Sequence, residues 1–352
     1  MSVEKIDNTL LNLLQSSFPL TDRPFLSLGE DLSISEEEVI TRTKKLKDIN
    51  FIRQISAIFD TRSMKYDSTL VAMAFDDDKL DESAKIISSH PGVTHNYKRN
   101  HLYNLWFTLA VPPDSLLGLE GTINLLGELS NSKSTRIFPT LKLFKIGVKL
   151  DMTSDDPLSS GDKDFYNEEK ISRDYKLTQE DINVIKEVQE DMPLVLRPFE
   201  EIGKKIHMAS EDVINCLKTF NQVGIMRRMA AILYHRKVGF RANAMGVWKI
   251  SEDMIEEIAT QMASFKSVSH CYRRPTYPDW PYSVFTMVHG RSIEDCKSLL
   301  RTLSELTGVK EYDALYSSKE YKKTRLKYFS DDYRVWEQKY SKDQVNAVGL
   351  NN

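Results

Sequence analysis

The sequence predicts an α+β chain: a tandem duplication of one module, a winged helix-turn-helix followed by a ferredoxin-like βαββαβ sandwich. Three observations predict it. Phe18-Pro-Leu-Thr-Asp-Arg-Pro-Phe25 returns as Met192-Pro-Leu-Val-Leu-Arg-Pro-Phe199, at an offset of 174 that holds without a gap for about fifty residues. Each copy opens on helix-period apolar residues and then turns to short, alternating strand patterns. Between the copies, Thr153–Arg173 is rich in Asp, Ser, Glu and Gly with almost no apolar periodicity, as a solvated linker is.

The register pairs Gly29 with Gly203, Arg53 with Arg227 and Arg62 with Arg236. Further on, His95-Asn-Tyr97-Lys-Arg99 matches His270-Cys-Tyr272-Arg-Arg274 at an offset of 175, and Phe107-Thr108 matches Phe285-Thr286 at 178. A three-residue, Pro-rich insertion around Pro275–Pro281 accounts for that change. The first helix follows Ile6, Leu10, Leu13 and Leu14, and its counterpart follows Ile182, Ile185 and Val188. Short helices bounded by proline follow at Pro24–Leu32 and Pro198–Ile206, and a third begins at Ser35-Glu-Glu-Glu38 with capping-box spacing. Strands are expected at Ile55–Asp60, Ser68–Phe75, Val93–Asn100, Leu105–Val111 and Arg136–Ile146, with helices at Lys79–Ser89 and Leu117–Ser130. The expected divisions are a helix-turn-helix over 1–54, a ferredoxin-like domain over 55–150, an acidic linker over 151–175, a second helix-turn-helix over 176–228, a second ferredoxin-like domain over 229–330, and a polar tail over 331–352, ordered only by docking.

Composition narrows the function classes. In 352 residues, 48 Lys and Arg stand against 51 Asp and Glu, a net charge of −3 that argues against a chain whose main work is gripping nucleic-acid backbone. No apolar run reaches the roughly 20 residues of a membrane span, and the N-terminus lacks a secretion signal's layout. Cys216, Cys271 and Cys296 are scattered without metal-type spacing. The cytoplasm is the expected compartment. No G-x-G-x-x-G, P-loop, H-E-x-x-H or C-x-x-C pattern occurs, so neither a nucleotide site nor a resident metal is expected.

The chemistry-bearing residues cluster on two strands and one hairpin. His95, Tyr97, Arg99 and His101 share one face if their strand runs unbroken, and that row spans roughly 20 Å, enough to underlie a large flat ligand. His270, Tyr272 and Arg274 repeat the pattern. An exposed polar face has no need of His, Tyr and Arg in the same order twice. Trp106 and Trp280 supply apolar walls, and arginines pair bidentately with carboxylates, so the mixture suits a flat polycarboxylate. The third cluster, Tyr234-His235-Arg236-Lys237 with Arg241, falls at the hairpin between the first two strands of the second sandwich. There His235 can serve as general acid or iron ligand, with Arg236 and Arg241 holding carboxylates. His235 has Thr61 as its first-copy counterpart, which points to one principal site lined mostly by the second half. His90 before Pro91 ends a helix, His207 is a surface residue, and His289 at a strand end stays open between roles.

A helix-turn-helix followed by a ferredoxin-like domain is the layout of the Lrp/AsnC regulators. Within it, the Pro-Leu-x-x-Arg-Pro-Phe box, the stretch His95 to Thr108, the stretch His270 to Tyr282, and His235 to Trp248 resemble the siroheme decarboxylases. In that family two related subunits form a heterodimer; here the first half resembles the A-type subunit and the second the B-type. The resemblance implies removal of two acetate carboxyls from siroheme to give 12,18-didecarboxysiroheme, on a route to haem or haem d1. It implies no added cofactor, with siroheme as substrate and histidine ligation of its iron open. Holding would fall to Arg62, Arg99, Arg236, Arg241, Arg273 and Arg274, with His101 beside them. Proton delivery would fall to His235 or His270, with His95 and Tyr97 as alternatives, and Tyr272, Trp106 and Trp280 would shape the cavity. Implied partners are the substrate, the product and neighbouring tetrapyrrole-pathway enzymes. The fused halves form a pseudo-heterodimer, with room for further homo-oligomerisation.

The competing class is a transcription regulator or a haem-responsive sensor. A reading helix would present Ser35-Glu-Glu-Glu38 and Ser210-Glu-Asp212 to phosphate, which is the wrong charge, so DNA and membranes are not expected partners.

Overall fold

A computed structural model describes residues 4–16, 18–146, 175–234 and 242–349. The first copy runs α1 (Lys5–Ser16), α2 (Pro24–Leu32), α3 (Glu36–Asp48), β1 (Ile52–Phe59), β2 (Asp67–Ala74), α4 (Leu80–Ser89), β3 (Val93–Arg99), β4 (Leu105–Val111), α5 (Gly118–Leu129), β5 (Ser134–Phe138) and β6 (Lys142–Ile146). The second runs α6 (Gln179–Val188), α7 (Pro198–Ile206), α8 (Ser210–Gln222), β7 (Met226–Leu233), β8 (Ala242–Trp248), α9 (Ile255–Ser264), β9 (Val268–Arg273), β10 (Val284–Gly290), α10 (Ile293–Thr307) and β11 (Tyr312–Lys323), then α11 (Asp332–Gly349).

Local chemistry explains the helix ends. Proline opens α2 and α7, the Ser35 hydroxyl accepts from the Glu38 amide at 3.1 Å, and Thr178 with Asp181 and Ser292 with Asp295 form reciprocal capping boxes. Shared glycines have a shared reason. A Cβ on Gly29 would lie 2.6 Å from the Ile34 carbonyl oxygen, and one on Gly203 would lie 2.3 Å from that of Met208. Only glycine lets the second and third helices of each copy approach so closely.

The duplicated sandwiches each show the ferredoxin-like strand order, β5-β2-β4-β3 and β11-β8-β10-β9. They join into one sheet of nine strands, because the C-terminal strand of each copy reaches into the other. The start of β11 pairs with β8 of its own copy and its end pairs with β3 of the first. The single strand expected over Arg136–Ile146 is two. β5 pairs with β2, Pro139 and Thr140 turn the chain, and β6 pairs with β9 at the other edge of the sheet.

Two sequence expectations are corrected by strand register. Tyr97 faces Trp106 and Tyr272 faces Phe285, so the second pair of positions is offset by 179 and the insertion is four residues. Burial agrees: Trp106 and Phe285 share the core between the sandwiches, while Phe107 lies under the helices. The segment Ile55–Asp60 is not a sandwich strand. It belongs to β1, which forms no wing within its copy and instead pairs antiparallel with β7 in a separate ribbon. Tyr234 therefore leaves a ribbon strand and does not sit in a sandwich hairpin. Beneath the ribbon both helical units share one core, including Leu10, Phe25, Phe59, Phe199, Phe220 and Met229.

The polar tail is a docked helix. Trp336 of α11 packs on the first sandwich's core, Tyr333 on the core under the ribbon, and buried Glu337 accepts from the Leu116 amide at 3.0 Å and from the Ser115 hydroxyl. His90, the C-cap of α4 as expected, is fully buried beneath it, 4.4 Å from Trp336 between ring centroids. Burial, with Lys322 nearby, pushes its imidazole down to about 3. Unfolding frees the ring to bind a proton at its ordinary value. The contribution is therefore intact above about pH 6.5 and is lost as pH falls from there toward about 3, by at most about 1.4 kcal/mol per pH unit. Urea midpoints for His90→Phe should fall less between pH 7 and pH 4.5 than those of the parent; equal losses would show that His90 does not set the acid limb.

Candidate functional site

The site rests on a backbone irregularity repeated in both copies. In the first, Val93 faces Leu109 and His95 faces Thr108, so Thr94 is an extra residue in β3. In the second, Val268 faces Val288 and His270 faces Met287, so Ser269 is the extra residue in β9. Each bulge keeps the valine in the helix-covered core and turns a hydroxyl residue toward the following histidine. Thr94 Oγ1 lies 3.0 Å from His95 Nδ1, and Ser269 Oγ lies 2.9 Å from His270 Nδ1.

Where the inner faces of the halves meet below the ribbon lies a cavity of about 360 Å³. The first half contributes Asp60, Thr61, Arg62, Ser68, Thr69, Thr94, His95 and Thr108; the second contributes Arg227, Tyr272 and Arg274. The segment after β11 closes it with Thr324, Arg325, Leu326 and Tyr328. Among the described lining residues, four arginines thus face one carboxylate, that of Asp60. Burial opposes that carboxylate, but hydrogen bonds from Arg227 (2.7 Å) and Ser63 outweigh it and hold Asp60 below its ordinary range. Asp60 also accepts from the Arg62 and Ser63 amides at 3.0 Å, which fixes the turn carrying Arg62.

Burial pushes His95 down to about 4, with Lys323 and Arg53 adding to it, so the ring is neutral near pH 7 without a ligand. Arg274 is only 8% exposed; its Nη1 donates to the Phe138 carbonyl and its Nε has no partner. Arg99 repeats this, 5% exposed, with Nη1 donating to the Leu315 carbonyl at 2.7 Å and Nε without a partner. Burial draws both guanidinium groups down to about 10. Among the described residues no carboxylate pairs with either. A buried cation without an anion is costly, and a binding site for anions is the usual reason to keep one.

The structure sorts the sequence-derived residues. His95, Arg62, Tyr272 and Arg274 line the cavity together. Their repeat counterparts, Tyr97, Arg99 and His270, are not among the described lining residues; Tyr97 lies 6.3 Å from His95 and His270 6.1 Å from Tyr272 between ring centroids. His101 leaves the row, because β3 ends at Arg99; it sits in the following turn between Tyr103 and Trp280. Trp106 and Trp280, 5.2 Å apart, are packed in the apolar core between the sandwiches and form no wall of this cavity. Arg273 points to the opposite face of its strand and pairs with Glu252. His235, Arg236 and Arg241 lie outside the described residues. Among the described residues the first half supplies most of the lining. Sequence reasoning missed Thr94, Thr108, Arg227, Arg325 and Tyr328 as lining. The repeat did mark Arg227, through its match with Arg53, while Arg325 and Tyr328 reach the cavity only because β11 crosses between halves.

Comparison with known proteins follows this duplicated plan. A family model described as the siroheme decarboxylase NirDL-like HTH domain matches residues 7–53 and 181–227, and one described as the AsnC-like ligand binding domain matches 63–145 and 237–322. The siroheme decarboxylase of Hydrogenobacter thermophilus is 39% identical over 93% of this chain and 96% of its own length. The siroheme decarboxylase beta subunit of Methanosarcina barkeri and the alpha subunit from Desulfovibrio desulfuricans span 42% and 44% of this chain, at 40% and 37% identity. One chain thus holds two units of subunit size. A crystal structure of the siroheme decarboxylase NirDL superposes with a TM-score of 0.79 at 34% identity, covering 97% of this chain and 99% of that one; a second, in complex with an iron-uroporphyrin III analogue, gives 0.78 at 33%, covering 97% and 100%. With the fold repeated in both halves and relatives this similar end to end, the chain belongs to the siroheme decarboxylase family of carboxy-lyases.

Proposed function

We propose that this chain decarboxylates siroheme, removing two acetate carboxyls to give 12,18-didecarboxysiroheme, with arginines holding the polycarboxylate and a histidine returning the proton. The observation that carries this reading is the cavity in which Arg62, Arg227, Arg274 and Arg325 surround His95 and Tyr272, with Asp60 the one carboxylate among the described lining residues. The name of the Hydrogenobacter relative and the tetrapyrrole analogue in the NirDL complex support the same substrate class.

Each step breaks one carbon–carbon bond. The acetate leaves as carbon dioxide, its electron pair stays on the methylene carbon and delocalises into the macrocycle, and one proton converts that carbon to methyl. No further cofactor is called for. Arg274 and Arg62 hold carboxylates in one orientation, and a site shielded from water favours loss of charge from the departing group. A bound polyanion also raises the proton affinity of a neighbouring imidazole, so His95 gains with its substrate the proton it lacks when alone. His235 and His270 stand as donors on the same chemistry, and His235 can instead meet the iron.

DNA reading is disfavoured by a specific observation. Glu36 at the start of α3 is buried against Arg23, and Arg42 is held by Asp7 at 2.9 Å, Glu4 at 3.0 Å and Glu38 at 2.9 Å. Lys47 is taken by Asp191 at 2.6 Å. Arg42 and Lys47, two of the cations that would meet phosphate, are thus already paired. The described residues include no helix long and apolar enough to cross a membrane, and the cytoplasm is the compartment that three free cysteines favour.

Anaerobic incubation with siroheme should give loss of two carbon dioxide molecules by mass spectrometry. Retarded duplex DNA without turnover would replace the enzyme reading with the regulator. His95→Ala and His235→Ala should be compared in the same assay. The one that delivers the proton should slow turnover by about 100-fold or more, and full turnover in both would leave His270 or Tyr97 as donor.

A further inference from the structure

The two bulge hydroxyls lead to different places. Thr94 Oγ1, in contact with His95 Nδ1, lies 2.8 Å from Thr108 Oγ1, a group that does not titrate near neutrality. Ser269 Oγ, in contact with His270 Nδ1, lies 2.8 Å from His289 Nε2. Strand register explains the change. Met287 stands opposite His270 where Thr108 stands opposite His95, so the second copy has lost that hydroxyl, and His289 meets Ser269 from two residues further along β10. Ser269 is 4% exposed, while His289 is half-buried at the strand's end, before Gly290. The second copy thus holds an unbroken His289–Ser269–His270 chain with a titratable group at each end, and the first copy does not.

We propose that His289 and Ser269 form a proton relay that recharges His270 during decarboxylation. This rests on the siroheme decarboxylase reading above. His289 Nε2–H donates to Ser269 Oγ, the Ser269 hydroxyl donates to His270 Nδ1, and His270 Nε2–H passes its proton to the carbanion left when carbon dioxide departs. One proton enters at His289 and one reaches carbon in each decarboxylation; solvent reprotonates His289, the Ser269 hydroxyl turns back, and His270, left as the Nδ1–H tautomer, returns to Nε2–H by proton exchange with solvent before the next step. The Ser269 hydroxyl has a competing acceptor in the Met287 carbonyl at 3.2 Å, longer than its 2.9 Å contact with His270. The relay requires the Nε2–H tautomer of His270, with Nδ1 accepting from Ser269. Serine and histidine act here through His270 and are positioning residues.

The test uses the full chain with siroheme. Ser269→Ala should lower kcat about tenfold or more with little change in KM, and Ser269→Thr, which installs the first copy's own hydroxyl, should restore it. His289→Gln keeps a hydrogen-bonding group but cannot titrate. It should show the same loss and drop one ionisation from the pH profile of kcat, and added imidazole should partly rescue His289→Ala. Full rate and an unchanged profile in His289→Gln, or equal losses in Ser269→Ala and Ser269→Thr, would overturn the relay. Nitrogen NMR of the imidazoles separates this from the parent reading. If the parent does not turn siroheme over, an Nε2–H His270 that loses that preference in Ser269→Ala still supports the chain of hydrogen bonds, and an Nδ1–H His270 refutes it.

Discussion

Arg274→Met should bind iron-uroporphyrin at least tenfold more weakly than the parent and yet unfold at nearly the same urea concentration. Arg274 is 8% exposed; its guanidinium, drawn down to about 10 by burial, donates to the Phe138 carbonyl and lies over the Tyr272 ring at 4.8 Å and the Phe285 ring at 5.6 Å, with Nε unpartnered. Replacing it with an apolar side chain of similar length removes a buried charge that no carboxylate among the described residues pairs with, while forfeiting one hydrogen bond and the cationic ring contacts. These effects oppose each other, so stability should move by no more than about 1 kcal/mol, and in either direction. Binding has no such compensation: a ligand carboxylate that entered the cavity would lose the cation it meets there, at a cost of about 2–5 kcal/mol. Absorbance titration of the tetrapyrrole and urea unfolding of the same sample separate the two quantities. Unchanged affinity with a large loss of stability would make Arg274 a brace for the turn at Phe138.

Trp280→Ala should have the largest effect on stability. Trp280 is 1% exposed, with Trp106 at 5.2 Å, Phe138 at 5.4 Å and Tyr282 at 5.2 Å between ring centroids. Tyr277 and Trp280 exchange backbone hydrogen bonds of 2.8 and 2.9 Å, which fold the insertion back over the joint between sandwiches. Truncation leaves a void lined from both halves, and about 3–5 kcal/mol should be lost. The neighbouring Asp279 offers a calibrated contrast. It accepts from Tyr103 at 2.6 Å and from Arg136 at 2.9 Å, but this carboxylate faces solvent, so Asp279→Ala should lower the unfolding midpoint far less than Trp280→Ala. Thermal and urea unfolding should rank the two variants in that order. A Trp280→Ala midpoint no lower than that of Asp279→Ala would mean that the insertion covers the joint without holding it.

What could be read from residues alone was whatever short-range geometry controls. Proline and serine punctuation placed α2, α7 and the start of α3, and period-2 alternation put His95, Tyr97 and Arg99 on one face. The 174 and 175 offsets exposed the duplication, and the shared arginines pointed to an anionic ligand. These signals depend on neighbours within one turn or one strand, which sequence spacing reports directly. Tertiary contacts decided the rest. The bulges at Thr94 and Ser269, the four-residue insertion and the end of β3 before His101 depend on which strand lies opposite, and no residue carries that information by itself. β1 left its own module for β7, β6 and β11 crossed between copies, and α11 found its apolar face only by docking. Buried area gained across the two halves outweighs the local tendency of each module to close on itself. For the same reason the aromatic and arginine residues that the sequence grouped are split between cavity, core and outer face, with Arg274 reaching the site and Trp280 and Arg273 turned away from it.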